Sequence, residues 1–134
     1  MSSVTRHVLP NGMVVLLKEV RSAPIISWRV LYRVGSRNER TGITGISHWV
    51  EHMMFKGTDK FPPGALDKMI DRVGGSWNAA TWLDATSYYE TLPSQHIDLA
   101  LEAEADRMVN AKFDPEEVES ERTVIISERQ GSEN

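Results

Sequence analysis

The chain has 134 residues, 40% of them hydrophobic and 25% charged, with a formal net charge of −4 and no cysteine. That length supports one modest domain or a part of a larger one. The acidic balance provides no basic patch for nucleic acid, and the lack of cysteine excludes disulfides, thiolate metal sites and cysteine nucleophiles. No apolar run approaches the roughly 20 residues that span a bilayer. Residues Met1 to Pro10 contain no stretch of signal-peptide length, so the expectation is a soluble, cytoplasmic chain.

Val4–Leu9 and Met13–Lys18 are β-branched-rich runs separated by Pro10-Asn11-Gly12, the composition of a tight β-hairpin. Ile25–Val34 follows as a longer strand, expected at the centre of a sheet, and the polar Gly35–Gly45 stretch reads as a loop. Apolar residues then recur at helical spacing from Ile46 to Phe55, and a second short helix follows Pro62-Pro63 up to Gly74-Gly75. Ser76–Thr81 and Thr86–Leu92 read as two strands. A helix from Pro93 to about Val109 is expected to bury Ile97, Leu101, Ala105 and Met108.

The last helix starts at an Asp114 cap, with Pro115 in first position and Glu117 where a capping box would put it, and runs to about Gln130. Hairpins interleaved with helices make the fold class α+β, a mainly antiparallel sheet with helices packed on it.

One short motif carries chemistry. His48-Trp49-Val50-Glu51-His52 lies inside a predicted helix, where histidines four apart share one face and can reach a single cation. Zinc suits two imidazoles, and Glu51 falls at the edge of the same face, within reach of a metal-bound water. Two histidines and a carboxylate on an otherwise apolar helix need partners, which a metal supplies. A catalytic zinc takes three protein ligands, so one is outstanding. Glu121 and Glu128, two turns apart on the last helix, are both candidates, and composition does not choose between them.

The stretch Gly45–Thr58 around that motif resembles the core motif of the pitrilysin-like (M16, inverzincin) zinc metallopeptidases, nearest their bacterial and mitochondrial-processing branch. Leu9–Gly12, Tyr32–Glu39, Gly74–Ala79, Phe113–Pro115 and Glu121–Glu128 match that family's N-terminal domain in the same order. The resemblance covers essentially the whole chain. It implies that residues 1–134 are the first part of an N-terminal catalytic domain, cut short of its full length.

The resemblance also implies one zinc held by His48, His52 and Glu128, with Glu121 supporting the site from behind. Glu51 would be the general base toward a zinc-bound water, in an endopeptidase acting on extended oligopeptides. Asn78 and Ala79 would hold the substrate backbone on an edge strand. A later domain or partner chain would supply an Arg and a Tyr that stabilise the tetrahedral intermediate, so the chain alone is expected to be weak or inactive. The alternative is a non-catalytic structural or peptide-binding subunit of the processing-peptidase type. His7 and His96 read as structural, and the four tryptophans as core or sheet-face residues.

Overall fold

The computed structural model describes residues 3–132. Strands β1 (Val4–Val8) and β2 (Val14–Lys18) pair antiparallel with Val8 opposite Val14. The turn between them closes through Leu9 N–H donating to Met13 O at 2.8 Å, with Gly12 at φ +86° where a side chain would be strained. The expected hairpin is therefore present.

A second sheet joins β3 (Ile25–Tyr32), β4 (Ser76–Thr81) and β5 (Thr86–Pro93) in the order β3-β5-β4, antiparallel throughout. Its central strand is β5, and β3 is an edge among the described residues, contrary to the sequence expectation. The reason is compositional. β5 buries Thr86, Ser87, Tyr88, Glu90 and Leu92, a largely polar list that a search for apolar runs passes over, whereas the more apolar β3 buries only Val30.

Four helices complete the α+β architecture: α1 (Ile46–Met53), α2 (Ala65–Arg72), α3 (Ile97–Asn110) and α4 (Pro115–Ser132). Register puts Val30, Tyr88 and Ala79 in one row across the sheet, with Trp28, Glu90 and Trp77 in the next row on the same face. That face receives the helices. The Phe55 ring, just past α1, meets Trp77 at 4.6 Å and Tyr88 at 6.2 Å between centroids.

The buried stripe of α3 is Ala100, Ala103, Glu104 and Arg107, not the expected Ile97, Leu101, Ala105 and Met108. Leu101 and Met108 are 40% and 42% exposed. Two alanines let the helix approach the sheet closely, and two opposite charges enter the core together because they pair. Arg107 bonds Glu104 and reaches Glu90 at 3.3 Å, all three essentially inaccessible. Its guanidinium lies 4.5 Å from the Tyr88 ring centroid and 5.3 Å from those of Phe55 and Trp77, within cation–π range. Burial, followed by the neighbouring Glu104 carboxylate, pushes the Glu90 carboxyl well above the usual carboxylate range. Two carboxyls and one guanidinium in a dry core thus hold a proton and approach neutrality.

Asp114 caps α4 as expected, its Oδ1 accepting the Glu116 N–H at 3.0 Å. Glu117 instead turns toward α1 and pairs with Lys56 at 3.2 Å. No described helix is long and apolar enough to cross a membrane.

Candidate metal centre and active site

Helix α1 has an unusual start. Its N-cap, Gly45, sits at φ +93° and has no side chain to cap with. Glu39 supplies the missing acceptor from six residues upstream, taking the Gly45 N–H at 2.7 Å and the Ser47 N–H at 2.9 Å. A carboxylate at that end also complements the helix dipole. Burial raises the Glu39 pKa, but these backbone donors outweigh it and hold the carboxyl below its ordinary value.

One turn apart on α1, His48 and His52 present Nε2 atoms 3.1 Å from each other, the rings nearly perpendicular. Glu128 of α4 brings its Oε2 to 3.5 Å from His48 Nε2 and 3.6 Å from His52 Nε2. These three residues form the one group of metal-ligating side chains found among the described residues, with donor atoms all within 4.8 Å. Donors on a tetrahedral zinc at about 2.0–2.2 Å stand about 3.3–3.6 Å apart, so the triangle is close to the size zinc requires.

The ring orientation agrees. His52 Nδ1 lies 2.9 Å from Glu121 Oε2. Burial pushes the Glu121 carboxyl upward, but the bonds from Lys56 and His52 outweigh it and hold it below the usual range. An ionised carboxylate only accepts, so the arrangement suits an Nδ1–H tautomer of His52, which would leave the Nε2 lone pair for a metal. Glu121 is the one residue of α4 classed as buried among those described, and Lys56 pairs with its other oxygen. The three donors remain partly open to solvent, with side chains 41%, 21% and 48% exposed for His48, His52 and Glu128.

Glu51 is 7% exposed and does not join that triangle. Thr81 Oγ1, at the end of β4, donates to Glu51 Oε2 at 2.7 Å. Thr81 in turn lies 3.3 Å from Thr86 Oγ1, which donates to Val34 O at 2.9 Å. Asn78 and Ala79 lie on the same strand, at the edge of the three-stranded sheet. Asn78 Oδ1 accepts the Ala79 N–H at 2.8 Å. His7 on β1 and His96, whose Nε2 is 3.2 Å from Gln95 Nε2, belong to neither group.

Sequence reasoning missed three contributors: Glu39, Thr81 and Lys56. Glu39 lies outside the usual cap spacing, and Thr81 reads as an ordinary strand residue. The signal for Lys56 is faint, a lysine four residues past His52 facing an acidic helix.

Residues 14–134 match the family described as insulinase, peptidase family M16. The chain belongs to that family. It is 38% identical over 122 residues to a probable mitochondrial-processing peptidase subunit beta of Arabidopsis thaliana, covering 91% of this chain and 23% of that protein. Identity is also 38% over 122 residues with the zinc protease PqqE of Helicobacter pylori, covering 90% and 28%. The crystal structure of a protease from Helicobacter pylori superposes with a TM-score of 0.91 at 35% identity, covering 96% of this chain and 31% of that one. The chain thus spans less than a third of the length of the relatives it matches.

Proposed function

We propose that this chain is part of the N-terminal catalytic domain of a zinc-dependent endopeptidase and carries its metal centre. The triangle of His48 Nε2, His52 Nε2 and Glu128 Oε2 supports this reading, its edges of 3.1, 3.5 and 3.6 Å fitting one zinc per chain. A zinc bound there would supply Lewis acidity toward water and the scissile carbonyl.

The chain's own residues divide the remaining work. His48 and His52 hold the metal as neutral imidazoles, and Glu121 fixes the His52 tautomer. Glu51 accepts the proton of the attacking water and passes it to the departing amine. Thr81 donates to one Glu51 oxygen, which orients the other toward substrate. The free edge of β4 suits an extended peptide added as a further strand, with the Asn78 side chain swinging off Ala79 N–H to make room. An edge binds main chain rather than particular side chains, which fits oligopeptides as a class.

Hydrolysis also needs donors to the tetrahedral oxyanion. The Arg and Tyr that the family resemblance implies would come from a further domain or a partner chain, and losing such donors costs about 10²–10³ in rate. The 134 residues alone would then turn over weakly or not at all while still binding zinc.

The decisive variant is Glu51→Gln in a zinc-loaded, full-length protein that includes the domain or partner chain supplying the oxyanion donors. Zinc content should stay at one per chain while peptide cleavage falls at least about 10²-fold. Near-normal cleavage by that variant would overturn the mechanism. Loss of metal from Glu51→Gln would instead make Glu51 a ligand.

A further inference from the structure

Lys56 stands just beyond α1 and takes no part in the triangle of donors, yet it holds the two helices that build it together. Its Nζ pairs with Glu117 at 3.2 Å and with Glu121, carboxylates one turn apart on α4. Glu121 simultaneously bonds His52 Nδ1. One ammonium thus bridges two carboxylates of α4, one of which also holds the ring of His52 on α1.

Among the described residues α4 buries little of its own surface. Glu121 is its one residue classed as buried among those described, and Val124 and Ile126 are 39% and 47% exposed. Val118 and Ile125 are only partly covered. Glu128 lies seven residues beyond Glu121, about 10 Å farther along the axis and on the same face. A rotation or slip of α4 at its first two turns would carry Glu128 off the histidine pair.

Rank-and-file surface pairs contribute almost nothing to such docking. Lys60–Glu102 and Lys112–Asp59 are pairs of that kind, with side chains half or more exposed. Lys56 differs in its setting, since its side chain is 25% exposed and that of Glu121 9%.

From this geometry we infer that Lys56 is a positioning residue that locks α4 onto the catalytic helix, setting where Glu128 stands relative to His48 and His52. The inference rests on the zinc-peptidase reading only for its metal readout. Losing the support behind a metal-binding histidine typically weakens metal affinity 10–100-fold, and Lys56 acts one step further back.

The test compares Lys56→Met, Lys56→Arg and Lys60→Met by amide hydrogen exchange of the metal-free protein and by zinc release to a chelator. Lys56→Met should speed exchange across residues 115–132 while β5 stays protected, and release zinc about tenfold faster. Lys56→Arg should restore most of both, and Lys60→Met should match the parent. Unchanged α4 exchange in Lys56→Met, or zinc held as tightly as before or tighter, would reduce Lys56 to a nearby charge and overturn the inference. Should Lys56→Met expose β5 as well, Glu117→Gln removes one partner of Lys56 and leaves the core alone. Two- to threefold faster zinc release is then expected, and no change overturns the inference. A parent protein that binds no zinc counts against the zinc reading, and α4 exchange still decides the role of Lys56.

Discussion

Thr81 Oγ1 donates to Glu51 Oε2 at 2.7 Å, tying the end of an edge strand to the carboxylate proposed as general base. The bond orients a buried carboxylate whose position would otherwise depend on its own rotamer alone. Thr81→Val keeps the shape and removes the donor. It should leave zinc content unchanged and lower kcat about tenfold, near 1.4 kcal/mol, with little effect on KM. Steady-state kinetics on an oligopeptide, with the full-length protein that supplies the oxyanion donors, checks it, and a change confined to KM would assign Thr81 to substrate binding instead.

Among the described residues Glu39 is the side chain that caps α1, through the Gly45 and Ser47 N–H groups. Glu39→Gln keeps one acceptor and loses the charge, and should destabilise the protein by about 0.3–1 kcal/mol at neutral pH, the usual worth of an anion at a helix N-terminus. The folded pKa is lowered. The cap's contribution is therefore complete above the unfolded carboxylate pKa and disappears as pH falls through the folded value. Urea midpoints between pH 7 and pH 3 should converge for the parent and Glu39→Gln at the acid end, and a constant offset would contradict the assignment.

The Arg107 centre predicts opposite outcomes for its members. Arg107→Met removes the one cation that pairs with Glu104 and Glu90 in a dry core and should cost about 3–5 kcal/mol. Glu90→Gln mimics the protonated acid and should cost little. Because the folded pKa of Glu90 is raised, the folded state keeps a proton that the unfolded chain releases, and the parent loses stability as pH rises from the ordinary carboxylate range through neutrality. That slope should flatten in Glu90→Gln. Denaturant unfolding at pH 5 and pH 8 measures it, and identical slopes would refute the protonated state.

Gly57 has φ +91°, and a Cβ there would stand 2.7 Å from Phe61 O and 2.8 Å from Pro63 N. Those are backbone atoms that cannot turn aside. Gly57→Ala should lower stability by at least about 2 kcal/mol, combining the left-handed penalty with the clash. It should also disturb the Lys112 N–H bond to Gly57 O that ties down the segment ahead of α4. Thermal unfolding of the variant decides this.

Much of the fold was legible because local rules dominate where elements begin and end. Asn11-Gly12 can take the hairpin turn, Asp114-Pro115 starts α4, and Gly74 follows α2, each through conformations few other residues adopt. Apolar counting failed where the core is polar. The central place goes to β5 and not to the more apolar β3, because the buried members of β5 include Thr86, Ser87 and Glu90. The buried stripe of α3 escapes the same counting because Glu104 and Arg107 are buried by pairing, not by hydrophobicity.

The histidine spacing alone determined that two imidazoles one turn apart would face a common point, since helical geometry is local and 3.6-fold. Composition also determined what the chain lacks, including any thiol to bind a metal. Whether a carboxylate 69 or more residues away completes that point is a matter of how α4 lies against α1. Tertiary structure alone brought Glu128 to 3.5 Å from His48, turned Glu121 onto His52 Nδ1, and set Thr81 against Glu51. Those meetings depend on the docking of separately formed elements, held by buried ion pairs and ring contacts, which no periodicity in one segment encodes.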